Sequence, residues 1–226
     1  MIFSHGGATG DIIFSLPTIK AMGGGKLIVY QYDKQRYEAV KPLLELQPYI
    51  ESVEWSDTKP INTIDLDKFR QYAGHHSNLV EAHFLGQEIP IDHSWREGWL
   101  TLPESNIELF PTMKYSVINR TTNYADPNFD WAKEVEYLES ISDNVYFIGY
   151  FEEWQLFNKT FGTNINFVDL DFLEGAYLIK NAVMFSGCYS AWSTIAMGLG
   201  LTYRLEQSPG HTCSSLLMPR ETIINI

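Results

Sequence analysis

Short apolar runs alternate with longer helix-like segments along most of this chain, and that alternation limits the fold more than any single motif. MIFSH (Met1–His5), KLIVYQ (Lys26–Gln31) and ESVEW (Glu51–Trp55) have the length and apolar content of buried strands. Helical spacing separates them at Asp11–Met22, where Ile12, Ile13, Leu16 and Ile19 recur, and at Tyr37–Leu46. Strands joined through helices pair in parallel by right-handed crossovers. Pro17 falls inside the first of these helices, and we place it in the first two turns, where a missing N–H costs least.

The pattern loosens over Asp57–Pro90, which holds Pro60, Gly74, the pair His75–His76 and one helix at Ser77–Leu85. Pro103–Pro111 (PESNIELFP) reads as a linker bounded by prolines. The alternation then restarts. Strands are expected at Tyr115–Asn119, Asn144–Gly149, Ile165–Leu170, Ala182–Ser186, Leu201–Leu205 and Thr222–Ile226. Helices are expected between them at Trp131–Ser140, Phe151–Thr160, Phe172–Asn181 and Ser190–Leu199. The chain is therefore read as α/β, with two Rossmann-like domains at 1–105 and 106–226.

Composition narrows the class. A 45% hydrophobic, 14% aromatic chain can fill a core and is not disordered. With 28 acidic against 16 basic residues and a net charge of −12, it lacks the basic footprint of a nucleic-acid binder, and no local basic run supplies one. Two cysteines, Cys188 and Cys213, give no disulfide framework and favour a reducing compartment. No stretch approaches the roughly 18 apolar residues of a membrane span, so a cytoplasmic protein is expected.

One loop bears on chemistry. His5–Gly10 follows the first strand, at the carboxyl end of a sheet where such folds bind ligands. Its glycines Gly6, Gly7 and Gly10 do not make G-x-G-x-x-G, and Asp11 stands where a phosphate-binding loop needs lysine. A carboxylate repels phosphate, so this loop faces something else. Two readings of Asp11 remain open: a helix cap, or a general base.

The run GDIIFSLPTIKA resembles the opening of the family 9 glycosyltransferases, the heptosyltransferases of lipopolysaccharide synthesis. Gly10, Asp11, Ser15, Leu16 and Pro17 match that opening. A second stretch, LIKNAVMFSGCYSAWSTIAMGLG (Leu178–Gly200), is similar to the family's strand, glycine–serine turn and helix, with Gly187–Ser190 at the turn and Ala196, Leu199 and Gly200 in the helix. The resemblance implies a GT-B-like fold of two Rossmann-like domains facing across a cleft, closed through the linker. It implies an inverting, metal-independent glycosyltransferase with no cofactor beyond its nucleotide-sugar co-substrate. Asp11 is then the base that deprotonates an acceptor hydroxyl. His5, Gly6, Gly7 and Gly10 form the acceptor-side loop, the acceptor being a glycan, a lipid-linked sugar or a modified base.

Donor binding falls to Arg120, Thr121, Thr122, Gly187, Ser190, Ser193, Thr194 and Glu206. Helix amides and the Arg120 guanidinium suit a diphosphate leaving group, and Glu206 is placed to hold a ribose. Each has a plainer reading: helix caps for the serines and Thr194, a surface cation for Arg120. The chain departs from the family too. Cys188 or Tyr189 replaces an aspartate, Ser193 or Thr194 replaces a histidine, and no lysine follows Arg120–Thr122, although Trp131 falls where the family has a tryptophan. A catalytically silent nucleotide- or sugar-binding protein, and a transferase acting on a modified nucleic-acid base, are the competing readings. His75, His76, His83 and His93 lack metal-ligand spacing and are read as surface or acceptor-side residues. Cys188 is read as a small buried side chain, and Trp95, Trp99, Trp154 and Trp192 as core or cleft wall.

Overall fold

A computed structural model describes residues 1–30, 33–73, 78–104 and 113–206. The chain divides into two compact units: Met1–Leu102 with Gly198–Gly200, and Pro103–Met197 resuming at Leu201. His75, His76, Cys213, the segment Thr222–Ile226 and most of the Pro103–Pro111 linker lie outside the described residues.

In the first unit the chain runs β1 (Ile2–His5), α1 (Thr9–Ala21), β2 (Gly25–Tyr30), α2 (Lys34–Glu45), β3 (Ile50–Ser56), β4 (Ile64–Asp65) and α3 (Leu79–Gly86). The four strands are parallel, in the order β3-β2-β1-β4. Phe3, Leu27 and Val29, which share one face of the sheet, are wholly buried, and so is Ser4 on the opposite face. Register does the rest. His5 pairs with Val29 and Ser4 with Asp65, so the ends of β1, β2 and β4 meet at one edge of the sheet. The 3-10 turn Leu66–Gln71 follows β4 directly and delivers Asp67 and Arg70 to that edge. Gly86 lets α3 press onto this turn, since a Cβ there would stand 2.8 Å from the Phe69 amide nitrogen.

The sequence reading had the elements of this unit in the right order, and it missed β4 and two 3-10 turns, Leu66–Gln71 and His93–Glu97. It also misplaced Pro17. The helix starts at Thr9, which makes Pro17 its ninth residue, well past the first two turns. A proline there leaves the Ile13 carbonyl without its helical donor. Trp99, 3% exposed, fills the gap by donating Nε1–H to Ile13 O at 3.0 Å.

The second unit runs β5 (Tyr115–Asn119), α4 (Trp131–Ile141), β6 (Asn144–Ile148), α5 (Phe151–Phe161), β7 (Asn166–Val168), α6 (Phe172–Lys180), β8 (Met184–Gly187), α7 (Ala191–Gly198) and β9 (Tyr203–Leu205). All five strands are parallel, in the order β7-β6-β5-β8-β9. Both sheets thus grow outward from their first strand and then return to its other side. That reversal opens a crevice at the strand carboxyl ends, beside β1 and β4 in one sheet and beside β5 and β8 in the other. Ile118, Trp131, Val135, Leu138, Val145, Phe147, Phe157 and Ile165 form one buried cluster. Each such side chain contributes about 1.5–3 kcal/mol on burial. Asn119 pairs with Gly187, and Gly187 with Leu205, which aligns the three strand ends. Among the described residues no helix is long and apolar enough to cross a membrane.

Trp99→Phe keeps an aromatic side chain but removes the indole N–H, leaving the Ile13 carbonyl buried without a donor, and is expected to lower stability by about 1–3 kcal/mol in urea unfolding. In a Pro17→Ala background the residue 17 amide satisfies that carbonyl. The Trp99→Phe cost should therefore shrink in a double-mutant cycle; equal costs in both backgrounds contradict the pairing.

Candidate functional site

The β1–α1 turn is built around a carboxylate that sequence reading overlooked. Asp67 Oδ2 accepts the Gly6 amide at 2.7 Å and the Tyr30 hydroxyl at 2.5 Å. Its Oδ1 lies 3.3 Å from Arg70 Nη2 and 3.6 Å from His5 Nδ1. The two glycines are small because neighbours crowd them. A Cβ at Gly6 would stand 2.8 Å from the Tyr30 ring, and one at Gly7 2.5 Å from His5 Cε1 and 3.0 Å from Asp11 Oδ2. Gly10 is the second residue of α1 and half-buried.

His5 does not face solvent. It is wholly buried, its Nδ1 accepts the Gly7 amide at 2.8 Å, and its ring packs on Phe69 (5.7 Å between centroids) and His83 (5.4 Å). It props the turn from beneath. Burial above all, with the Arg70 charge adding, pushes its pKa down to about 3. Burial holds the equally buried His83 well below the ordinary histidine range too. His83 is therefore a core residue and not a surface one, while His93 is exposed, its side chain 3.8 Å from Glu81.

Asp11 is not the N-cap residue of α1. Ala8 holds the N-cap position, and Asp11 is the third helical residue, its carboxyl taking a hydrogen bond from the Ala8 backbone. This is the backbone half of a capping box. The side chain stays a quarter exposed, and Oδ2 lies 3.8 Å from Arg70 Nη2. Burial raises the Asp11 pKa, the Arg70 charge and the Ala8 amide oppose the rise, and the Asp67 charge adds to it. Such a carboxylate is a stronger base than one in water.

At the carboxyl ends of β5, β8 and β9 the chemistry differs. Glu206 is wholly buried and engaged internally: Oε1 takes Arg120 Nε at 3.0 Å, while Oε2 takes Trp131 Nε1 at 2.9 Å and the Asp126 amide at 3.2 Å. A carboxylate so enclosed organises the Arg120 loop and is not displayed as a ribose acceptor. Arg120, 13% exposed at its side chain, also stacks on Phe161 at 5.0 Å. Thr121 donates its amide to Cys188 Sγ at 3.0 Å, and Thr122 is exposed. Gly187 is buried against Asn119, whose carbonyl a Cβ would meet at 2.6 Å.

The serines close α7. The Ser190 amide donates to Ser193 Oγ (2.9 Å) and the Ser193 amide to Ser190 Oγ (3.2 Å), a reciprocal cap. Ser193 Oγ and Thr194 Oγ1 both donate to the Ser190 carbonyl, and both side chains are buried. Their hydroxyls serve the helix and not a surface ligand, which is the plainer of the two sequence readings. Ser190 alone of the three is partly exposed. Cys188 is a free buried thiol whose pKa burial pushes up to about 11, so it is no nucleophile. Among the described residues no group of three or more His, Cys, Asp or Glu side chains is placed to hold a metal ion. Trp95 and Trp99 belong to the core, and Trp154 and Trp192 are half-buried.

The buried histidines make stability acid-sensitive. An unfolded chain binds a proton at residue 5 near pH 6.5, and the folded chain only near 3. Stability is therefore expected to fall as pH is lowered through that window, by up to about 1.4 kcal/mol per pH unit from this residue. His5→Asn keeps an acceptor for Gly7 and should flatten the decline in urea midpoints between pH 6.5 and 4.5. Parallel curves for wild type and variant contradict this.

No protein-family model matches the chain, and no curated protein sequence does. Solved structures do. A family 9 glycosyl transferase from Veillonella parvula superposes with a TM-score of 0.73 at 11% identity, covering 99% of this chain and 84% of that one. The E. coli heptosyltransferase WaaC, solved with ADP-2-deoxy-2-fluoro heptose, gives 0.61 at 11% identity over 99% and 92%. The iron-containing dodecameric glycosyltransferase TibC from enterotoxigenic E. coli gives 0.64 at 15% identity; 97% of this chain is covered but only 61% of that one. The likeness carried by Gly10, Asp11, Ser15, Leu16 and Pro17 therefore extends to the fold of nearly the whole chain, which is the GT-B-like α/β fold of these glycosyltransferases.

Proposed function

We propose that the chain is a family 9-type inverting glycosyltransferase that moves a sugar from a nucleotide-sugar donor to an acceptor hydroxyl, with Asp11 as general base. The observation that carries this reading is the state of Asp11. It stands at the mouth of the β1–α1 turn, partly exposed, outside the N-cap position, with burial raising its basicity. Its hydrogen bond from the Ala8 amide also closes the start of α1, and that role is compatible with the base. As the hydroxyl oxygen bonds to the anomeric carbon, its proton passes to the Asp11 carboxylate. The bond from that carbon to the donor's diphosphate breaks, and the configuration inverts.

The donor is assigned to the second unit. The half-buried Thr121, the exposed Thr122, Arg120 and the α7 N-terminus beyond Gly187 and Ser190 offer a cation, hydroxyls and helix amides to a diphosphate. These groups can stabilise the leaving charge without a metal ion or other cofactor. The acceptor, whether a glycan, a lipid-linked sugar or a modified base, is assigned to the first unit. ADP-sugars lead the candidate donors because WaaC binds one.

The test is transfer and hydrolysis across ADP-, GDP-, UDP- and CMP-linked sugars, with Asp11→Asn alongside. Wild type should turn over one donor class, and Asp11→Asn should lose about a hundredfold or more in kcat while still binding that donor. Activity should fall as pH drops through the Asp11 pKa, above the ordinary aspartate value of 3.8. Equal turnover by both proteins contradicts the base assignment. Nucleotide-sugar binding with no turnover of any donor gives the silent binding protein instead.

A further inference from the structure

Arg70 and Asp67 belong to no motif, yet they are the charged groups that face Asp11. The 3-10 turn after β4 places the Arg70 guanidinium with Nη2 3.3 Å from Asp67 Oδ1 and 3.8 Å from Asp11 Oδ2. One nitrogen thus bridges two carboxylates. Asp67 is in turn fixed by the Gly6 amide and the Tyr30 hydroxyl, and Arg70 lies over the Phe69 ring at 4.9 Å. From these contacts we infer that Arg70, anchored on Asp67, is a positioning residue that holds the Asp11 carboxylate and keeps it ionised. The inference rests on the reading of Asp11 as a base, and its test does not need turnover.

The other titratable neighbours are silent over the useful pH range. His5 beneath the turn and His83 on α3 are neutral because of their burial. The Tyr30 hydroxyl on β2 keeps its proton, its pKa pushed up to about 12 by burial and the Asp67 bond. Lys59 is paired with Asp65, 2.6 Å away. Among the described residues, what remains is one cation between two carboxylates, and the two make opposite predictions. Removing Arg70 takes away an attraction that favours the charged form of Asp11. Removing the Asp67 charge takes away a repulsion that disfavours it, and leaves Arg70 a single carboxylate.

The experiment is a carbon-13 NMR titration of the Asp11 carboxyl in the full chain labelled at aspartate, with Asp11→Asn identifying the signal. Arg70→Gln should raise the Asp11 midpoint by about half a pH unit or more. Asp67→Asn should lower it, and Arg70→Lys, which keeps the charge, should stay near wild type. Arg70 is 53% exposed at its side chain, so Arg70→Gln is expected to fold. General loosening of the turn would move both midpoints toward that of a free aspartate, in the same direction. Opposite shifts support the inference; shifts of the same sign, or none in Arg70→Gln, overturn it. If Asp11→Asn keeps full turnover while the opposite shifts are seen, the base reading fails and the electrostatic coupling stands. If turnover is lost but no shift appears, the base reading stands and the coupling fails.

Discussion

The Asp67 carboxylate is the interaction on which the first half's geometry depends. A turn of small residues has little of its own to hold it, because Gly6 and Gly7 carry no side chains. The turn keeps its shape through bonds from outside. Asp67 takes the Gly6 amide, His5 takes the Gly7 amide, and the Tyr30 hydroxyl and Arg70 guanidinium anchor Asp67 itself. Parallel register makes this arrangement available, since β1, β2 and β4 end at the same edge of the sheet. Asp11 then emerges from a fixed turn, and its position follows from its neighbours.

The second half uses the same device with different partners. Glu206, just past β9, reaches the strand ends and collects Arg120, the Trp131 indole and the Asp126 amide. Its charge is buried and compensated, and breaking such a pair by removing one partner costs about 3–5 kcal/mol. Arg120 therefore has a structural duty besides any ligand it meets. A second buried pair supports the sheet beneath: Glu134 on α4 lies 2.8 Å from Arg204 on β9 and accepts the Ser186 hydroxyl of β8 at 2.8 Å. Each sheet thus gathers its strand ends with a carboxylate from the segment after a late strand. The first leaves a further carboxylate, Asp11, partly exposed, while the second holds its guanidinium, Arg120, 13% exposed against Glu206 and Phe161.

The regular elements are legible because most buried parallel strands are rich in apolar residues and helices such as α4 and α5 carry clear periodicity, whereas α1, buried from Ile12 to Ile19, is marked by its apolar length. Tyr115–Asn119 was read to the residue. β4 was missed because two residues, Ile64 and Asp65, carry no period. Asp67 was missed because its partner Gly6 lies 61 positions away and the pairing depends on β4. One signal did exist: the apolar–acidic alternation Ile64-Asp65-Leu66-Asp67, with Arg70 three residues further on. By sequence His5 belongs both to the first strand and to the glycine loop; the structure keeps it in β1, wholly buried, so it is no contact residue. Ser193 and Thr194 were read as ligand hydroxyls although their spacing from Ser190 also fits a cap, which is the role they fill. Pro17 demanded a donor for the Ile13 carbonyl, and only the fold shows that Trp99 supplies it.

In the function we propose, the second half holds the phosphates and the first keeps the base. Hydrogen exchange with and without a saturating nucleoside diphosphate tests it most directly. Exchange should slow at the amides of 120–122 and 187–192 and stay unchanged at 6–11. Protection of the Gly6–Asp11 turn, with none at the α7 N-terminus, would contradict it.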